Sequence, residues 1–176
     1  RWSRGLGDVY KRQGERLARA KAAAVANGSG DGDGNDGGAD RLVVGADTVI
    51  DLDGEILGKP SDRADAERML HALSGRSHGV ITGVAVVGRL GGRAVEASTV
   101  ERTEVTMRPL SDDDVAWYLD TGEFDGKAGA YAIQGFGSLL VAGIEGSYHN
   151  VVGLPVAALD QLLCGIGLPL RKLTGP

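Results

Sequence analysis

An aspartate inside an apolar run is the first residue of this chain that points to chemistry. In Leu42-Val43-Val44-Gly45-Ala46-Asp47-Thr48-Val49-Ile50 the surroundings of Asp47 are apolar on both faces of a strand. A carboxylate taken out of water there must be compensated. A cation, a metal ion, a hydrogen-bonding substrate or a structural partner would each serve. Lys59 comes next, in Gly58-Lys59-Pro60, where the proline holds the residue before it extended. A lysine at a strand end suits a point-charge contact to phosphate, although a plain surface lysine has the same sequence. The densest signal is Phe124-Asp125-Gly126-Lys127-Ala128-Gly129-Ala130-Tyr131-Ala132-Ile133-Gln134-Gly135. Its small residues, Ala128, Gly129, Ala130 and Gly135, would let a ligand approach the backbone. Lys127 supplies charge, and Gln134 a donor and an acceptor able to read a base edge. The Gly-Lys-Ser/Thr order of a P-loop is absent. The histidines carry less: His71, His78 and His149 lack metal-ligand spacing, so His71 reads as solvated and His78 as structural. Cys164, in Leu162-Leu163-Cys164, reads as core filling, while Trp117 and Tyr118 read as packing residues of a helix.

The elements that must position these groups follow from pattern and punctuation. Residues 15–26 are rich in Ala, Leu, Arg and Glu and predict a helix. Residues 27–40 are almost wholly Gly, Asp, Asn and Ser, which predicts a surface loop. Asp31, Asp33 and Asn35 begin like a calcium loop, but Asp36 stands at the turn glycine and Leu42 at the bidentate Glu, so a surface loop is expected over a calcium site. The apolar run 42–50 predicts a buried strand and Asp51–Gly54 a turn. Ser61 or Asp62 caps a helix with Ala66, Met69, Leu70 and Leu73 on one face, which Gly75 ends in a left-handed conformation. Val80–Val87 predicts a second strand, Gly88–Gly92 a turn, and a third strand ends near Arg108. Ser111 caps a helix whose Asp112, Asp113 and Asp114 suit the positive end of its dipole, and Gly122 closes it. A short strand pair around Leu139–Ile144 and a last helix starting at Pro155 complete an α/β chain.

Composition narrows the function further. The 176 residues suit one domain, and 24 acidic against 19 basic residues give a net charge of −5. That balance argues against a general nucleic-acid or anionic-membrane binder, so any phosphate site must be local. No apolar run approaches a membrane span, and the single cysteine fits a reducing cytoplasm.

Together the motifs resemble one family, the Maf-type nucleoside triphosphate pyrophosphatases. The matching words are Val44-Gly45-Ala46-Asp47-Thr48-Val49, Ile56-Leu57-Gly58-Lys59-Pro60 and Leu73-Ser74-Gly75-Arg76-Ser77-His78. Further on come Lys127-Ala128-Gly129-Ala130-Tyr131, Ile133-Gln134-Gly135 and Asn150-Val151-Val152-Gly153-Leu154-Pro155, in the family's order. The resemblance implies a mixed, twisted sheet flanked by helices with a deep nucleotide cleft. It also implies hydrolysis of a nucleoside triphosphate to monophosphate and pyrophosphate with a divalent cation, magnesium or manganese. By likeness, Asp47 matches the proton acceptor and a metal contact, and Lys59 and Lys127 the phosphate-binding lysines. Lys21, in Leu17-Ala18-Arg19-Ala20-Lys21-Ala22, resembles a further active-site lysine. Thr48 and Gln134 match the specificity residues of the branch acting on dTTP and UTP. A homodimer is compatible with the likeness.

The family's opening strand and Ser-x-Ser-Pro-Arg-Arg loop have no counterpart before Glu15. Asp8-Val9-Tyr10-Lys11-Arg12-Gln13 back-translates as the end of a transposon adapter used for sequencing libraries, so residues 1–13 are expected to be non-native and 14–176 one domain. The rival expectations are a related pyrophosphatase acting on modified or other bases, and a non-catalytic nucleotide-binding or division-regulating protein.

Overall fold

The apolar run around Asp47 becomes strand β1 (Arg41–Leu52). The computed structural model describes residues 15–24 and 40–173. The adapter reading of residues 1–13 and the loop over 27–39 therefore lie outside the described residues. A helix, α1, covers residues 15–24. The chain continues through β2 (Glu55–Leu57), α2 (Arg63–Leu73), β3 (Ser77–Leu90), β4 (Arg93–Met107) and α3 (Asp112–Asp120). It ends with β5 (Val141–Glu145), α4 (Tyr148–Val152) and α5 (Val156–Gly165). The strands form a five-stranded sheet in the order β2-β1-β3-β4-β5, in which β1 pairs antiparallel with β2, and β4 with β5. Strands and helices in one chain give the α/β class that the sequence predicts.

Local chemistry explains the joints. Asp53 and Gly54 both have positive φ, 53° and 92°, and form the two-residue loop between β1 and β2. The Asp51 carboxylate accepts the Gly54 N–H at 2.9 Å and holds that loop. Gly91 and Gly92, at φ 57° and 75°, do the same between β3 and β4. Asp62 caps α2 by accepting the Asp65 N–H at 2.8 Å, and Ser111 caps α3 in a reciprocal box with Asp114. The acidic triplet is thus a helix start. Arg108 grips Asp114 through two charged hydrogen bonds, of 2.9 and 2.6 Å, which lower its carboxyl pKa well below the usual range. Two expectations change. The strand pair near Leu139–Ile144 is one strand, β5, whose partner is β4, because Leu139 and Leu140 lie in a 3₁₀ turn over Gly135–Leu140. Pro155 is the residue just before α5 rather than its first residue.

Two compact units are apparent. Of the described residues, one comprises those up to Asp47, Thr82–Glu101 and those from Gly153 onward; the other comprises Thr48–Ile81 and Arg102–Val152. In the first, Val84 and Val86 of β3 pack with Leu159 and Leu163 of α5. In the second, Ile50, Met69, Leu70, Leu73, Val105, Tyr118 and Leu140 form the centre of a larger core. All four residues at the predicted apolar face of α2 are buried there.

His78 lies inside this second core at 1% exposure. Its Nε2 shares a 2.8 Å hydrogen bond with the Tyr131 hydroxyl, while Nδ1 is buried with no partner among the described residues. Burial, and then the charge of Arg102, hold its pKa down at about 4 against an ordinary 6.5. Arg102 is itself paired with Asp51 at 2.7 Å and Glu104 at 3.1 Å, and its guanidinium occupies the space that a side chain at Gly79 would need. A histidine pKa depressed by folding means that the unfolded chain takes up a proton first. The His78 contribution to stability is therefore complete above pH 6.5 and drains away as pH falls towards 4. Folding free energy should drop by about 1.4 kcal/mol per pH unit across that window from this group. Urea titrations at pH 7, 6 and 5 check it, and His78→Gln should flatten the slope. An equal slope in the variant would remove His78 as the cause.

Candidate active site

In the first unit, Asp47 meets a lysine. Gly45 and Asp47 are two residues apart on β1 and so point to the same face. Helix α1 lies directly on that face, since a Cβ on Gly45 would stand 2.5 Å from the Ala18 carbonyl oxygen and 2.8 Å from the Ala22 nitrogen. Ala18 and Ala22, one helical turn apart and buried, complete the close approach. This seat carries Lys21 to Asp47, where Nζ and Oδ1 form an ion pair. Asp47 is 17% exposed and Lys21 53%, so a buried-side carboxylate faces a cation that water still reaches. Arg19, also on α1, donates to the Ser98 hydroxyl at 3.0 and 2.8 Å and meets Glu96 at 3.1 Å, which ties the helix to β4.

The second unit holds an open pocket of about 490 Å³ lined by Gly122, Glu123, Asp125, Lys127, Ala132, Gln134 and Gly135. Lys127 and Gln134 are thereby brought together, both exposed. Lys59 is exposed and does not line the pocket, but the adjacent Gly58 carbonyl accepts the Gly129 N–H at 2.9 Å, so its segment is stitched to the Lys127 loop. Thr48 is half-buried on β1. Chemically the pocket offers one cation, Lys127, two carboxylates, Glu123 and Asp125, an amide that donates and accepts, and a wall of small residues.

Several residues take roles other than those expected. Gly129 and Ala130 are buried rather than open to a ligand. A Cβ on Gly129 would come within 2.7 Å of Ile50, so the glycine serves core packing. Ala130 holds φ at 62°, a left-handed conformation that costs a non-glycine residue of order 1 kcal/mol. Next to it, the Tyr131 ring enters the core to reach His78, and burial raises the pKa of its hydroxyl. The Ser74-Gly75-Arg76 word is a joint: Ser74 Oγ accepts the Leu110 N–H at 2.7 Å, and Gly75 N–H donates to Arg108 at 3.1 Å. Asn150 is likewise internal, donating to the Val80 carbonyl at 3.0 Å and to Thr103 at 3.1 Å. Cys164 is exposed, because the buried stripe of α5 runs through Ala158, Leu159 and Leu163 and leaves the next position outside. Of the two aromatics on α3, Tyr118 is buried and Trp117 is 42% exposed against Phe136.

Glu123 is a pocket residue that sequence patterns do not mark. Its two oxygens accept the N–H groups of Phe136 and Gly137, each at 3.1 Å. Its partners lie 13 and 14 residues on, beyond any local period. Among the described residues no three His, Cys, Asp or Glu side chains gather as a metal cage, and no helix is long and apolar enough to cross a membrane.

Comparison with known proteins adds the following. The family profile described as "Maf-like protein" matches residues 8–166. A protein of Anaeromyxobacter sp. (strain Fw109-5), named dTTP/UTP pyrophosphatase, is 55% identical over 130 residues, 73% of this chain and 63% of the relative. Proteins of the same name from Moorella thermoacetica and Pyrococcus furiosus are 54% and 46% identical, over 75% and 74% of this chain and 67% and 66% of theirs. The aligned region thus spans less than two thirds of the Anaeromyxobacter relative.

Proposed function

This chain belongs to the Maf-like protein family, and on that premise we propose that the protein hydrolyses dTTP and UTP to the nucleoside monophosphate and pyrophosphate. The observation that carries this reading is the pocket that sets a cation, Lys127, beside an amide, Gln134. A pyrimidine nucleotide presents the matching pair, a polyphosphate and a base edge with both donor and acceptor. Relatives 46–55% identical that bear the name dTTP/UTP pyrophosphatase support the same base preference.

In the proposed reaction a water oxygen attacks the α-phosphorus. The bond from that phosphorus to the bridging oxygen breaks, and pyrophosphate leaves with the electron pair. Asp47 takes the proton from the attacking water. Lys21, which pairs with the Asp47 carboxylate from the α1 side, holds it oriented for that task. Lys59 and Lys127 balance charge on the β- and γ-phosphates, where positioning and electrostatics supply most of the rate. Thr48 and Gln134 select the base. A divalent cation, magnesium or manganese, fits a shared arrangement better than a protein cage: Asp47 offers one carboxylate, and magnesium commonly takes one or two carboxylates with substrate phosphates. When bound it would neutralise phosphate charge. The cytoplasm is the compartment in which such a substrate is met.

Pyrophosphate release from dTTP, UTP, CTP and GTP, with magnesium or manganese, tests the reading. It is run on this chain and on one extended to the length of its relatives. UTP and dTTP are expected to lead, and Gln134→Glu to reduce that preference by about 10–100-fold, because a carboxylate cannot donate to the base. A folded protein that turns over none of the four, yet binds them, would move the assignment to a non-catalytic role.

A further inference from the structure

We propose that Glu123 is a positioning residue that fixes the base-reading loop and so sets nucleotide preference; this rests on the pyrophosphatase reading above. Gln134 is exposed and immediately precedes the 3₁₀ turn Gly135–Leu140, which receives no capping hydrogen bond from the Gln134 side chain. Short 3₁₀ turns are weakly held by their own hydrogen bonds. Glu123 supplies the missing restraint from across the pocket. One oxygen accepts the Phe136 N–H and the other the Gly137 N–H, both at 3.1 Å, so the carboxylate spans two successive peptide groups. Gly135 makes room for it. A Cβ there would lie 2.3 Å from a Glu123 oxygen, and the Gly135 φ of +67° disfavours any side chain. Glu123 is itself fixed, since its N–H donates to the Thr121 hydroxyl at 3.2 Å.

The arrangement has a second consequence for an anionic ligand. Two adjacent N–H groups in a turn are a natural phosphate seat. Here they are already taken by a carboxylate. A triphosphate is therefore turned away from the Phe136–Gly137 peptide groups and towards Lys127, while Gln134 is left for the base. The clamp thus orders the nucleotide end to end: cation at the phosphate, amide at the base. An amide in place of the carboxylate can satisfy only one of the two N–H groups and turns its own N–H₂ against the other.

The test compares wild-type protein with Glu123→Gln and with Gly135→Ala, which presses on the same clamp from the loop side. In Glu123→Gln, KM for UTP should rise about 10-fold, with kcat within about 3-fold, and the preference for UTP over GTP should fall by about 10-fold, the scale expected for a charge-assisted bond lost from a binding loop. Gly135→Ala should move both in the same direction. A folded Glu123→Gln protein with unchanged KM and preference would overturn the proposal. So would a kcat loss above about 100-fold at constant KM, which would assign Glu123 to the reacting atoms. Amide exchange provides a readout that does not depend on either variant folding. The Phe136 and Gly137 amides of wild-type protein should exchange slowly, and exchange at the rate of an unstructured peptide would also overturn it. Wild-type protein that turns over all four nucleotides with no pyrimidine preference would instead defeat the dTTP/UTP reading, and the clamp's role in selectivity with it.

Discussion

Asn in place of Asp47 is expected to lower pyrophosphate release from dTTP and UTP by about 10³-fold, with the fold retained. The side chain keeps its size and one oxygen, so the packing around β1 has no cavity to absorb. The ion pair with Lys21 is lost, but Lys21 is half in water, and exposed pairs of this kind contribute only about 0–1 kcal/mol. Melting within a few degrees of wild type should follow. What the amide cannot do is accept a proton at neutral pH, and the loss belongs to kcat. KM for the nucleotide should hold or fall, because removing one negative charge lessens repulsion of a polyanion. That split separates a proton acceptor from a residue that merely binds. Near-normal kcat in a folded Asp47→Asn protein would take Asp47 out of the chemistry. A raised requirement for the divalent cation, with kcat recovered at high concentration, would reassign Asp47 to metal binding alone.

How much of this was legible before folding depends on the distance over which each residue acts. The period of 3.6 that marks Ala66, Met69, Leu70 and Leu73 is a property of neighbours, and all four are buried as expected. The caps at Asp62 and Ser111, and the left-handed Gly75 at φ 67°, are equally local. Strand β2 was legible only at its end, where Pro60 holds Lys59 extended; three residues carry no period, and the bounds Glu55–Leu57 are set by pairing with β1. The site divides in the same way. Asp47 stands out because a charge interrupts a run of apolar neighbours. Its partner Lys21 lies 26 residues earlier, and nothing short of the family likeness connects them. Glu123 was missed for the same reason, as its carboxylate answers to peptide groups 13 and 14 residues away. Small residues misled in the other direction. Gly129 and Ala130 look like room for a ligand, yet the room is filled by Ile50 and Leu73. Sequence records that space is needed at such positions, and only the fold says what occupies it.

Valine at Gly45 is expected to cost stability and activity together. Strand propensity alone favours valine over glycine by up to about 1 kcal/mol. Contact decides against it. The new Cβ would meet the Ala18 carbonyl oxygen at 2.5 Å and the Ala22 nitrogen at 2.8 Å, backbone atoms of α1 that cannot rotate away. Ordinary contact then requires the helix to retreat by about 1 Å, and more for the γ-methyl groups. Overpacking of this kind costs about 1–3 kcal/mol, which for a chain of this size lowers the melting temperature by roughly 2–12 °C. The same retreat draws Lys21 off Asp47, so turnover should fall further than the folded fraction does. Gly143→Val on β5 is the control. Nothing lies within 4 Å of a Cβ there, so the same substitution should leave melting and turnover near wild type. If Gly45→Val melts with wild type, α1 is not seated on β1 through Gly45. If it is destabilised yet keeps full turnover per folded molecule, the Lys21–Asp47 pair is a contact of the fold and not part of the catalytic machinery.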